Sequence, residues 1–243
     1  MKLIQLNAWA GRLEKQIANF VQGEQPDILC LQEIISYTRE DAGFFLTLEH
    51  IQEKLGYQYS VMAPTASFDL SNSTARYGNG IISRFPVLKS EIIYTNLEHI
   101  EGFIFGDDDF NVRNFVHVTL DVNGKSCHVI THHGYHINEH KNGSDETLKH
   151  MRQLADYIGG LEGPVILTGD FNLAPHSESV EVLNEILTNL SIKNSLKTTR
   201  NNLTHKTEVC DYIFVNEAVK PTDFHAAEDI ISDHKALVLE FDL

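Results

Sequence analysis

The stretch "VILTGDFNLAP", residues 165–175, decides how the rest of the chain is read. Val165, Ile166 and Leu167 form a short apolar run of the kind that makes a buried strand. The run stops at Thr168–Gly169, and Asp170, Phe171 and Asn172 follow. Residues i and i+2 of a strand share a face. Asp170 and Asn172 therefore present a carboxylate and an amide on one side of a strand end, with no basic residue near them in sequence. Gly-Asp and Asn-x-x-Pro are also ordinary loop punctuation. What the other strands end with decides between the two readings.

Apolar runs of strand length recur at residues 2–8, 28–32, 58–63, 80–83, 87–94, 113–122, 126–131, 164–168, 212–215 and 236–241. Helical periodicity lies between them at residues 13–21, 44–55, 146–158 and 180–190. "VNGK", residues 122–125, is a hairpin turn signal. Strands outnumber helices and are often joined without one, so much of the pairing is expected to be antiparallel. No linker divides the chain, which reads as one α/β domain over residues 1–243, with two mixed sheets face to face and helices outside. Polar residues then close strand after strand: Asn7 the first, Gln32–Glu33 the second, and His132 the strand "KSCHVITHH". Asp211 opens "DYIFV", and Asp233–His234 precede the last strand.

Charge bounds the function. The chain carries 34 acidic and 19 basic residues, a net −15 with His neutral. That disfavours a protein holding nucleic acid by a basic surface, because such affinity rests on phosphate neutralisation. A metal ion can still supply positive charge locally to an acidic phosphoesterase. Cys30, Cys127 and Cys210 sit in strand-like contexts without a C-x-x-C motif and read as buried free thiols, which suits a reducing compartment. "MKLIQLNAWA" turns polar too soon for a signal peptide, and no apolar run reaches 18 residues. A cytoplasmic monomer is expected.

In order along the chain, "LNAW", "LQE", "GNGIISRFPV", the T-H step of "VITHH", "MRQLADYI", "ILTGDFN", "DYIFV" and "SDHKAL" resemble the endonuclease/exonuclease/phosphatase superfamily of metal-dependent phosphoesterases. The resemblance implies a four-layer α/β sandwich with the site at one edge between the sheets, and metal-assisted attack of water on a phosphoester. Carried over by residue, it implies Mg²⁺, with Mn²⁺ as a substitute, held by Glu33, Asn7 and Asp233. It implies that His132 meets the phosphate and leaving group. Asp170 and Asn172 would orient the nucleophile and phosphoryl oxygens. Asp233 and His234 match the closing Asp-His step, and Asp211 the acid that supports a catalytic histidine. Tyr77, Asn79 and Arg113 match positions that touch substrate or brace the site.

These residue types suit that chemistry. Mg²⁺ prefers hard oxygen ligands and needs one or two carboxylates. The attacking water must lose a proton to a held carboxylate or imidazole, a task for Asp170 or His234. The departures narrow the branch. Trp9 stands where nucleases of the family often have an acid, Val209–Cys210 replace a basic and an aliphatic residue, and "KTTRNNLTHKTEV" lacks the aromatic of abasic-site enzymes. A small-molecule or lipid-headgroup phosphoester is therefore expected before duplex DNA, with single-stranded nucleic acid an open alternative. The histidines at 128, 132, 133, 136, 140 and 150 lack H-E-x-x-H spacing and read as a solvated loop rather than a zinc site. "FGDDDF", residues 105–110, reads as a solvated tip. A silent protein-binding scaffold is the competing class, and it has no need of buried carboxylates that cost stability when unpaired.

Overall fold

The computed structural model describes residues 1–37, 46–70, 73–102 and 111–243. "FGDDDF" and the first two residues of the helix expected at 44–55 lie outside them. Two six-stranded sheets face one another. The first runs β11 (Lys220–Ala226), β12 (Leu237–Asp242), β1 (Lys2–Asn7), β2 (Ile28–Ser36), β4 (Ser73–Ser83), β3 (Tyr59–Leu70). The second runs β5 (Val87–Asn96), β6 (Arg113–Val122), β7 (Lys125–His133), β8 (Val165–Asp170), β10 (Asp211–Val215), β9 (Thr188–Asn189). Both sheets are mixed. In each, one parallel pair near the centre, β1–β2 or β7–β8, is joined by a crossover helix. These helices are α1 (Glu14–Glu24) and α3 (Asp145–Gly159).

Three apolar clusters explain the layering. Leu3, Cys30 and Ile81 of the first sheet pack with Val116, Val129, Ile166 and Ile213 of the second, filling the space between the sheets. Ile4, Leu6, Leu29 and Leu31 turn the other way, onto α1 and α2 (Leu48–Leu55). Ile130, Leu167, Tyr212 and Phe214 do the same beneath α3 and α4 (Glu178–Asn184). Alternate residues of one strand thus feed two cores, as the period of two requires. This is the four-layer sandwich expected from the sequence.

Local chemistry sets the joints. Asn123 (φ 55°) and Gly124 (φ 86°) supply the two left-handed residues of the β6–β7 hairpin at "VNGK". Ser144 caps α3 by accepting from the Thr147 N–H while Thr147 Oγ1 accepts from the Ser144 N–H, a reciprocal capping box. Three elements differ from expectation. The strand expected at 80–83 begins at Ser73, because its polar first half pairs with β3 around a bulge at Pro64/Ala66. β11 was not expected: it is an edge strand, exposed over most of its length, with no apolar alternation. The helix expected at 180–190 ends at Asn184 and resumes as the short α5 (Leu190–Lys193), where the Asn189 side chain accepts from the Ile192 N–H.

Candidate active site

The face that two sheets share grades from apolar to ionic along five strands. β1 presents Leu3, Gln5, Asn7, and β2 presents Ile28, Cys30, Gln32. β7 presents Val129, Thr131, His133, and β8 presents Ile166, Thr168, Asp170. β10, running antiparallel to β8, presents Ile213 and then Asp211, with Asp211 beside Asp170. A middle layer of amides and hydroxyls couples the sheets. Gln5 Nε2 donates to Gln32 Oε1 (2.8 Å) and Gln32 Nε2 to Thr131 Oγ1 (2.7 Å). The Thr131 and Thr168 hydroxyls meet at 3.1 Å. A buried polar layer of this kind is tolerable only when its members find partners.

Above it, the charged groups converge. Asn7 Nδ2 donates to Glu33 Oε1 (3.0 Å) and to Asp170 Oδ2 (3.1 Å), a bridge between carboxylates from the two sheets. Glu33 reaches this side through a bulge. The β2–β4 register shifts between Leu31 and Ile34, and Glu33 sits at φ 51°. Without the bulge, alternation would point Glu33 outward with Leu31. Asp170 is 2 % exposed, and its Oδ1 accepts the Asn172 N–H at 2.9 Å. Asn172 is left-handed (φ 55°), a conformation asparagine tolerates. Its amide donates to the Gly134 carbonyl (3.3 Å), and its Oδ1 accepts from Lys141 Nζ (3.0 Å).

His234 Nδ1 lies 3.0 Å from both Asp211 oxygens. Asp211 is wholly buried and also accepts from Thr199 Oγ1 (2.6 Å) and Gln5 Nε2 (3.2 Å). With Nδ1–H committed to the carboxylate, Nε2 is the ring atom turned to the site, 3.6 Å from Asp170 Oδ2. Arg200 Nη1 donates to that Nε2. Burial disfavours the ionised Asp170, but His234, Arg200, His133 and the Asn172 N–H outweigh it and hold the carboxyl well below the usual range. Burial likewise opposes the His234 imidazolium, and the Asp211 and Asp170 charges more than offset it, so its pKa is raised.

Asp170, Asp211 and His234 form, among the described residues, the one group of three whose candidate ligand atoms lie within 4.8 Å of one another. We read Asp211–His234 there as an oriented dyad, because hydrogen bonds already occupy both Asp211 oxygens and His234 Nδ1. The His-rich loop contributes no residue to that group.

Most expected site residues meet here, with differences. His132 does not: strand alternation sends it to the outer face with Ile130, against Phe171, where it is wholly buried. Its Nδ1 donates to the Asn114 carbonyl (3.1 Å), and burial lowers its pKa to about 3. His133 takes the place expected of it, with Nε2 3.9 Å from Glu33 Oε1 and 4.0 Å from Asp170 Oδ2. Asn7 turns its N–H₂ to the carboxylates and bridges them, while its oxygen accepts the Trp9 N–H (3.1 Å). Asp233 Oδ2 faces Arg200 Nη1 at 3.5 Å. Arg113 and Asn79 brace the site. Arg113 Nε donates to the Gly134 carbonyl (2.7 Å), and Asn79 Nδ2 to Asn114 Oδ1 of the opposite sheet (2.8 Å). Tyr77 packs half-buried beside Ala10 and Ile35.

Arg200 and Lys141 were not legible as site residues. Arg200 lies in a polar segment without periodicity and Lys141 in the His-rich loop, and only tertiary structure buries them. His133 carried a signal, the inward parity of Cys127, Val129 and Thr131.

Residues 4–234 match the Endonuclease/Exonuclease/phosphatase family. The fold superposes on an endonuclease/exonuclease/phosphatase family protein from Leptotrichia buccalis, 18% identical, at a TM-score of 0.75 with all of both chains covered. The human Nocturnin catalytic domain with bound sulfate is 20% identical, with a TM-score of 0.73 over all of this chain and 93% of that one. A mannosyl-6-phosphatase from Bacteroides thetaiotaomicron is 18% identical, with a TM-score of 0.70 and both chains fully covered. No curated protein matches the chain. With the family match spanning nearly its whole length, the chain belongs to the endonuclease/exonuclease/phosphatase family.

Proposed function

We propose that the protein is a Mg²⁺-dependent phosphoric ester hydrolase. The observation that carries this is the charge imbalance at one strand edge. Three carboxylates, Asp170, Asp211 and Asp233, surround the buried Arg200 guanidinium, and a fourth, Glu33, stands across the Asn7 bridge from Asp170. Carboxylates brought this close, Asp170 and Asp211 of them buried, call for a further cation on the Glu33 side. The donor set fits a hard divalent ion: Glu33 is partly open, its side chain 24% exposed, and it is bridged through Asn7 to Asp170. Glu33, with Asp170 beside it, would hold Mg²⁺, which when bound neutralises phosphoryl charge and lowers the pKa of water.

The chain's own groups divide the remaining work. His234, held by Asp211 at Nδ1 and by Arg200 at Nε2, fixes that side of the site. Asp170 serves as an anion that orients. With His234 Nε2 occupied by Arg200, the proton of the attacking water falls to Asp170. Asn172 and Lys141 hold one edge of the pocket and orient the phosphoryl group. His133 Nε2, near Glu33 and Asp170, is placed to donate to a phosphoryl oxygen. For the substrate class we favour a small-molecule or lipid-headgroup phosphoester. A fold neighbour named as a mannosyl-6-phosphatase supports the former, and the acidic surface argues against a duplex.

The test is hydrolysis of bis-p-nitrophenyl phosphate, p-nitrophenyl phosphate, plasmid DNA, a single-stranded oligonucleotide and sphingomyelin in Mg²⁺, Mn²⁺ or EDTA, beside Glu33→Ala. Metal-dependent turnover, lost in the folded variant, is the expected result, and the best substrate names the branch. Cleavage of plasmid or oligonucleotide above the small esters would replace the substrate class with a nuclease. Normal turnover by Glu33→Ala would overturn the ion site.

A further inference from the structure

Arg200 is 4% exposed, and its guanidinium meets three site residues at once. Nη1 donates to His234 Nε2 and lies 3.5 Å from Asp233 Oδ2, while Nη2 lies 4.0 Å from Asp170 Oδ2. Its Nε is buried without a hydrogen-bond partner. Asp170 and His234, two of the three residues whose ligand atoms converge within 4.8 Å, therefore already face a cation.

We propose that Arg200 is a permanent positive charge in the place a second divalent ion would take, so that the site works with one exchangeable ion, at Glu33. This rests on the hydrolase reading above. Three arguments support it. The donors a second ion would need face Arg200 itself: His234 Nε2 accepts from Nη1, and Asp233 Oδ2 and Asp170 Oδ2 lie 3.5 and 4.0 Å from the guanidinium nitrogens. A divalent ion beside a guanidinium that stays charged at any physiological pH would meet direct repulsion in a poorly screened interior. Two residues beyond Asn7 stands Trp9 rather than an acid, with the Arg12 guanidinium 4.7 Å from its ring centroid. Unlike a metal, the guanidinium cannot be removed by a chelator. Its planar fork also suits the non-bridging oxygens of a phosphoryl group.

The experiment counts ions. EDTA-stripped protein is titrated with Mn²⁺, and free Mn²⁺ is read by its paramagnetic resonance signal. We expect one tightly bound ion in the wild type, none in Glu33→Gln, one in Arg200→Lys and two in Arg200→Ala. Turnover of Arg200→Ala should fall about 10²-fold at low Mn²⁺, the scale of losing one preorganised charge. It should recover with a second-order dependence on Mn²⁺ that the wild type lacks. Two ions in an active wild type would overturn the role of Arg200 and leave the hydrolase reading standing. One ion in a folded Arg200→Ala would also overturn it. No bound ion and no Mn²⁺-dependent hydrolysis would sink both readings together. Circular dichroism controls for folding, and if Arg200→Ala does not fold, the wild-type and Arg200→Lys counts decide.

Discussion

Two adjacent histidines at the end of β7 have opposite fates because a strand has period two. His133 shares the inner face with Thr131 and Val129, and it meets Glu33 and Asp170. His132 shares the outer face with Ile130 and is sealed against Phe171. Alanine substitution should separate them. His133→Ala should lower kcat by about 10²–10³-fold, the scale of one positioned acid–base group, with an unchanged melting temperature. His132→Ala should cost stability by about 2–4 kcal/mol through its cavity and the unpaired Asn114 carbonyl. Its kcat per folded molecule should stay within a few-fold of wild type. Turnover and urea unfolding measured on the same two variants decide this, and the reverse ranking would return the role to His132.

At the scale of elements, the site depends on two strands ending in unusual backbone. Gly169, the last residue but one of β8, has φ 152°, and an added Cβ there would stand 2.0 Å from the His132 carbonyl of β7. Gly169→Ala should therefore push β7 and β8 apart at Asp170, destabilising the protein by about 3 kcal/mol or more. Urea unfolding reads that loss, and a stable variant with normal turnover would show that the strand ends need not be this close. The same geometry shows what the sequence could reveal. Most of the twelve strands announced themselves by apolar runs, and Asp170, Asn172, Asp211 and His234 by the way those runs ended. β9, β11 and the first half of β4 did not, since a two-residue strand, an exposed edge strand and a polar, glycine-containing strand carry no apolar alternation. The inward turn of Glu33 depends on a bulge, and a bulge inverts parity without leaving a compositional trace. The burial of Arg200 depends on a loop packing over the site, which local pattern cannot express.

The whole molecule stores a pH dependence in the outer face of its second sheet. His117 on β6 is buried, hydrogen-bonded to the Tyr157 hydroxyl (2.7 Å) and to His128 (2.9 Å), and its pKa is lowered to about 4 by burial and then by the His128 charge. His132 on β7 is lowered to about 3, again chiefly by burial. Free histidine titrates near 6.5, so the unfolded chain binds protons that the folded one refuses. The stability tied to these two neutral rings is complete above about pH 6.5. It is lost as pH falls toward 4 and 3, with a limiting slope of about 1.4 kcal/mol per pH unit for each ring. Titration of the acidic surface acts in the same pH range, because protonating carboxylates relieves the self-repulsion of a chain with net charge −15. A difference between two proteins of nearly equal charge cancels that term. His132→Asn keeps a donor for the Asn114 carbonyl and removes the titrating ring. Although less stable than the wild type at pH 7, it should lose less stability between pH 7 and pH 4.5, with urea midpoints converging as pH falls. Parallel midpoints across that interval would mean that His132 is not among the groups whose protonation drives acid unfolding.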